Sequence, residues 1–330
     1  MQHLFLWLLI WLSYKALGIE KIEKKKEGLS LSPIVAANST YGLMGGAAAV
    51  NYYQGSEYHK LLYFTVLTLQ GRSFSLFAWE SQGDFWDLGF WAYYSNFFDS
   101  YYHEQRSLYK EQPDRIDLVA ERFEPYLAYK FNKQWSLRGL INTKHRRELG
   151  RLEKPNGETD YIYIYPNETT TTLGGMLLND HRIEESKDFA TRGYYFHILS
   201  YHLLDRSFTT ISDQKTFTTY SVDMRKYFEL THLLNLSLRA AAGDSQGRPS
   251  YLYNFFLGGM TDLRGYRSAR FRGQRFYEGQ AELRYPIWRV FSGNTWIDIG
   301  DISQGEKFPG LLKTAGSGFK IALPPDYVAK

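Results

Sequence analysis

The sequence predicts an all-β fold, a transmembrane antiparallel β-barrel of about 14–16 strands. Three observations carry that prediction. Apolar and polar residues alternate with a period of two along most of the chain, aromatic residues are abundant although the mean hydropathy is negative, and tight turns alternate with long polar connections.

Composition fits a sheet with one face toward lipid. Among 330 residues there are 27 Tyr, 22 Phe and 8 Trp, yet 22% of the chain is charged. In a membrane barrel, outward apolar residues alternate with inward polar ones, so hydropathy averages out while aromatic side chains gather at the two interfaces. The chain has no cysteine, which excludes disulfides, thiolate metal sites and a cysteine nucleophile. A formal charge of +4 with basic and acidic residues interspersed gives no nucleic-acid footprint.

The amino terminus reads MQHLFLWLLIWL, with an unbroken apolar stretch from Leu4 to Leu12 and small residues at Ala16 and Gly18. A membrane-spanning helix needs about 20 apolar residues and a signal-peptide core about 7–15, so residues 1–18 are expected to be a signal peptide. An uncleaved amphipathic anchor is the alternative. Residues 19–28, IEKIEKKKEG, read as a short polar linker or helix, and the barrel domain is expected from 29 to 330, with no soluble domain before Leu29.

Alternation then recurs strand by strand. In the segment after Phe85, Trp86, Leu88, Phe90, Ala92 and Tyr94 share one face, and Asp87, Gly89, Trp91, Tyr93 and Ser95 the other. Gln280, Glu282 and Arg284 likewise oppose Ala281, Leu283 and Tyr285. Strands are expected near 29–38, 42–54, 59–71, 73–82, 84–97, 115–131, 133–147, 170–180, 189–205, 215–228, 231–242, 250–258, 277–288, 292–302 and 314–324. Many match the roughly 9–11 residues that a tilted strand needs to cross a bilayer. Asn132-Lys133 and Glu229 to Thr231 read as tight turns, whereas 99–114 and 148–169 read as long loops.

The candidate functional segment is FLGGMTDLRGYRSARFRGQRFYEGQAELRYPIW, followed by FSGNTWIDIGD. Arg264, Arg267, Arg270, Arg272 and Arg275 crowd a stretch bracketed by Gly265 and Gly273. Glu282 and Asp298 fall on the inward face of the two strands that follow. A guanidinium offers a rigid fork of donors that carboxylates can hold, so Arg264 is expected to fold back toward Glu282 and Asp298 within an inward-folded loop, 260–276.

These residues also carry a resemblance. LGG-x-x-x-LRGY followed by AELRYPIW and IDIGD resembles the sixth extracellular loop and the next two strands of the BamA/TamA-like bacterial surface antigen family of outer-membrane β-barrels. VDMRKYFEL resembles that family's D-x-R-x-Y strand. NDHR with the later ATRGYY resembles its D-x-R-D…P-x-x-G pair, with Ala190 and Thr191 where a proline is usual. The resemblance implies a site in the bacterial outer membrane and Arg264 as the loop's buried lumen anchor. It further implies Glu282 and Asp298 as the arginine's partners, with Leu263, Gly265 and Tyr266 completing the motif. Family members continue with about two more strands and an aromatic end, where this chain reads FKIALPPDYVAK; either the sequence is a fragment, which is the favoured reading, or the barrel closes with fewer strands.

The function implied is membrane-protein assembly or protein translocation, with outer-membrane lipid and unfolded or nascent client chains as partners. A passive channel or structural surface barrel is the alternative. No enzyme, cofactor or metal is expected. His197 and His202 are five apart and point to opposite faces of a strand, His103-Glu104 lacks a second histidine at ligand spacing, and no G-x-S-x-G elbow is present.

Overall fold

The structure is a computed structural model and describes residues 28–38, 42–54, 58–69, 71–96, 98–101, 114–148, 167–183, 192–208, 216–231, 233–247, 249, 253–267, 269–288, 291–303, 305 and 307–321. The expected leader, and the linker apart from Gly28, lie outside these residues, as do the centres of the two expected long loops.

All the elements are strands. They are β1 (Gly28–Asn38), β2 (Gly42–Gln54), β3 (Tyr58–Thr68), β4 (Ser73–Gln82), β5 (Trp86–Ser95), β6 (Phe98–Tyr101), β7 (Asp114–Lys130), β8 (Trp135–Glu148) and β9 (Asn167–Asp180). There follow β10 (Gly193–Phe208), β11 (Phe217–Thr231), β12 (Leu234–Gly247), β13 (Phe255–Leu257), β14 (Gly259–Tyr266), β15 (Phe271–Gly273), β16 (Arg275–Trp288), β17 (Phe291–Ser303) and β18 (Leu312–Ile321).

The chain divides into two compact units, with β8, β9 and β10 contributing to both. In the first, the strand order is β1-β2-β3-β4-β5-β7-β8-β9-β10, and β6 adds to β7. Side chains sort by parity, because successive residues of a strand point to opposite faces. Leu62, Phe64 and Val66 of β3 are buried, and so are Phe74, Leu76 and Ala78 of β4, whereas Leu61, Tyr63, Leu67 and Phe77 are exposed. Phe64 and Phe74 meet edge to face at 6.0 Å. On the exposed face, aromatic rings run across neighbouring strands from Tyr53 to His59, Trp79, Phe90 and Phe123, with centroids 5.7–6.2 Å apart. Further along the buried face the residues are polar: Glu124 accepts from Trp91 Nε1 at 2.7 Å, from Arg122 Nη2 at 2.5 Å and from Asn142.

The β7–β8 turn shows how local chemistry closes a hairpin. Asn132 Oδ1 accepts from the backbone N–H groups of Gln134 and Trp135 at 2.8 and 2.9 Å, an Asx-type turn of the kind that favours Asn at this position. Short connections of this kind join β7 to β8, β11 to β12 and β16 to β17, while β8–β9, β10–β11 and β12–β16 leave from the other strand ends and are longer.

In the second unit the order is β8-β9-β10-β11-β12-β16-β17-β18. Here the exposed face carries Met224, Phe228, Leu238, Ile297 and Ile299, and the buried face is strongly charged. The residue pairs Arg225↔Arg239, Arg239↔Gln280, Gln280↔Asp298 and Asp298↔Thr314 lie on one line across five strands, with Asp223 two residues from Arg225, so all of them project to the same side.

One expected strand is corrected. Of residues 250–258 the structure describes 253–258, and among these only Phe255–Leu257 forms a strand, β13, which pairs with β15 in a separate two-stranded sheet rather than joining the main one. Its apolar residues imitate a lipid-facing set but pack inward instead. Tyr253 meets Phe217 at 4.8 Å, Phe255 meets Phe276 at 4.9 Å, and Leu257 joins a core with Leu263, Phe271, Ile302 and Leu312. The positive φ of Gly258, at 102°, then turns the chain where a continued strand would run. The connection from β12 to β16 thus spans 248–274 and is longer at its start than the expected 260–276.

A charge on the exposed face tests its orientation. Phe77→Arg is expected to cost about 2–4 kcal/mol of folding stability in lipid vesicles, measured by urea titration; an unchanged midpoint would contradict a lipid-facing position.

Candidate functional site

Leu263, Arg264, Gly265 and Tyr266 end β14, and their backbone is unusual before any side chain is considered. Leu263 has φ 41° and Gly265 φ 108°. Positive φ suits glycine but costs a bulky residue about 1–3 kcal/mol. Two carboxylates from the sheet hold the chain in this shape: Glu278 Oε1 accepts the Leu263 N–H at 2.5 Å, and Asp298 Oδ2 accepts the Arg264 N–H at 2.8 Å.

The Arg264 side chain returns to the same acceptor. Its Nε donates to Asp298 Oδ2 at 2.9 Å and its Nη2 to Asp298 Oδ1 at 2.7 Å, while Nη1 pairs with Glu282. Arg284 Nε holds the other Glu282 oxygen at 2.6 Å. Register explains why one guanidinium reaches both carboxylates. Gln280 faces Asp298 and Glu282 faces Trp296, so Glu282 and Asp298 are diagonal neighbours on one face, about 7–8 Å apart at the backbone. The Arg264 side chain is 12% exposed and that of Asp298 0%. Burial alone would weaken the Arg264 charge; the hydrogen bonds to Asp298 and the fields of Glu282 and Asp298 outweigh it, and the guanidinium holds its proton more tightly than usual.

Packing completes the seat. Leu263 is fully buried among Leu257, Phe271, Ile302 and Leu312, and Tyr266 meets Phe271 edge to face at 5.0 Å. The Arg264 guanidinium also lies over the Trp296 ring, 4.8 Å from its centroid. Gly316 of β18 makes room for that ring, since a Cβ there would sit 2.5 Å from it.

The remaining arginines separate. Arg267 is exposed, Arg270 is buried beside Phe271, Arg272 lies over the Phe256 ring, and Arg275 pairs with Asp244 at 2.7 Å in a half-exposed position. Sequence reasoning missed Trp296, Glu278, Asp262 and Arg239. Glu278 shares the parity of Glu282 and was open to detection; Arg239 becomes visible only with the β12–β16 register. Among the described residues no His, Cys, Asp and Glu group is arranged to hold a metal ion.

The order of strands, the two-faced residue pattern and this clamp coincide with a match to the Omp85 superfamily domain over residues 62–323. The chain belongs to the Omp85 superfamily. As an Omp85 barrel it lies in the bacterial outer membrane. Solved structures with this fold include BamA from Haemophilus ducreyi lacking POTRA domains 1-3, at 12% identity and TM-score 0.63, covering 91% of this chain and 65% of that one. CdiB from Escherichia coli matches at 13% identity and TM-score 0.61 over 91% and 58% of the two chains. CdiB from Acinetobacter baumannii matches at 13% and 0.57 over 91% and 55%. This Omp85 chain therefore spans a little over half to about two thirds of the length of these structures. Comparison with curated proteins finds no match.

The two carboxylates are not equivalent. Asp298→Ala removes the acceptor for one backbone and two side-chain donors and is expected to cost about 3–5 kcal/mol, whereas Glu282→Ala leaves Arg264 on Asp298 and is expected to cost about 1–3 kcal/mol. Urea midpoints of the refolded barrel measure both; equal costs would show that the diagonal clamp is not the structural determinant.

Proposed function

We propose that this barrel inserts or translocates polypeptide in the outer membrane, with the 248–274 connection seated inside it as a latched plug. The observation that carries the reading is the Arg264 clamp: a long connection is fixed to the sheet's buried face by a motif whose backbone and side chain share one carboxylate. A passive surface barrel needs a filled interior but no such specific seat. Membership of the Omp85 superfamily supports the same reading.

The client is an extended or unfolded outer-membrane or secreted chain, and recognition is by strand addition. An edge with unpaired N–H and C=O groups is a template for another strand. The outer face contributes contact with lipid, and no covalent chemistry is involved.

Reconstitution tests this. The full chain in vesicles of bacterial polar lipids is expected to speed the folding of a urea-denatured outer-membrane barrel client, read by heat-modifiable migration. Arg264→Ala is expected to lower that rate about tenfold or more, while the variant itself still inserts. Absence of acceleration, together with a steady planar-bilayer conductance that Arg264→Ala leaves unchanged, would overturn the proposal in favour of a passive channel.

A further inference from the structure

A second charge cluster meets the same connection from the neighbouring strand. Arg239 of β12 projects from the buried face opposite Gln280. Its Nε donates to Asp223 Oδ2 at 2.8 Å, and its Nη1 contacts Asp262 Oδ1 at 2.6 Å, Glu278 Oε2 at 3.2 Å and the Thr261 carbonyl at 3.2 Å. Gln280 Nε2 donates to that carbonyl at 2.5 Å, and Thr261 Oγ1 donates to Asp262 Oδ2 at 2.7 Å. Asp262 is thus oriented from its own neighbour while its other oxygen faces the guanidinium.

We propose that Arg239 and Asp262 form a second latch on the connection, of inverted charge and on a strand that the Arg264 side chain does not reach. At the first latch the connection supplies the cation and the sheet supplies Glu282 and Asp298. At the second the sheet supplies the cation and the connection supplies the anion. The two act on residues only two apart, yet they reach different strands: Arg264 is tied to β16 and β17, Asp262 to β12.

Arg239 is also held in place without the connection. Asp223 takes Arg225 through both Nε and Nη2, at 2.8 and 3.0 Å, besides Arg239. The Arg225 guanidinium lies 5.3 Å from the Tyr195 ring centroid, and Arg182 lies 4.8 Å from the same centroid, itself gripped by Asp180 at 2.9 and 2.6 Å. This row runs from the β9–β10 connection to the foot of the latch. When Asp262 leaves, Arg239 keeps Asp223 and Glu278, so the landing place persists and the connection can return to it. The latch operates whether or not the barrel handles polypeptide clients.

The absence of cysteine provides the test. Ala269, buried in the connection, is replaced by cysteine in the refolded full chain, and the rate of labelling by a bulky maleimide reports release. Asp262→Asn spares the Arg239 pairs with Asp223 and Glu278, so the barrel is expected to fold, checked by heat-modifiable migration. It is expected to raise the labelling rate about tenfold. The same substitution combined with Arg264→Lys is expected to raise it further, though not by a simple product of the two factors, because both seats share Glu278. A rate that Asp262→Asn leaves unchanged in both backgrounds would overturn the latch; an increase in either supports it.

Discussion

A guanidinium taken out of water requires acceptors for its donors, and Arg264 finds them in a geometry that dictates much of its surroundings. Asp298 receives the backbone N–H, Nε and Nη2 of this one residue. That arrangement requires the chain to turn back on itself at Leu263, the β16–β17 register to bring Glu282 diagonal to Asp298, and β18 to present Gly316 where the Trp296 ring needs space. Shifting the register by one residue would send Asp298 to the lipid side, with Arg264 left uncompensated.

The same accounting explains the contrast between the two units. In the first, Phe64, Phe74 and Leu76 fill one end of the buried face, and charged residues such as Lys60, Glu80 and Glu124 lie further along it. In the second, the buried face carries Asp223, Arg225, Arg239, Glu278, Glu282 and Asp298, and each has a partner of opposite charge. At the seat itself Asp262 and Arg264 contribute one charge of each sign, each against a partner on the sheet. These two side chains therefore enter a region of lowered dielectric already paired, where an unpaired charge would be costly.

The period-two pattern was enough to recognise the strands, because each residue of β5 or β16 faces the side its parity assigns. The position of Arg264 was also legible, since LRGY follows a glycine pair after three residues and stands ahead of AELRYP and IDIGD. Residues 250–258 misled because apolar side chains packing on a protein interior and those facing lipid are identical in sequence. Arg239 and Trp296 were invisible for a different reason. The role of Arg239 depends on the offset between β12 and a partner strand that follows a connection of 27 residues, 248–274, and that of Trp296 on where the folded-back Arg264 comes to rest; neither is encoded in a strand's own sequence.

Leu263 gives the connection a property that its contacts alone would not. Its φ of 41° lies in a separate basin from the extended conformation an unrestrained leucine prefers. Once Glu278 and Asp298 release the two N–H groups, the residue relaxes across a torsional barrier and the chain leaves in a new direction. Departure and return are then discrete events rather than a graded swing, and the residue behaves as a detent: the seated state resists small displacements, and an unseated connection re-engages only after its backbone has rotated back.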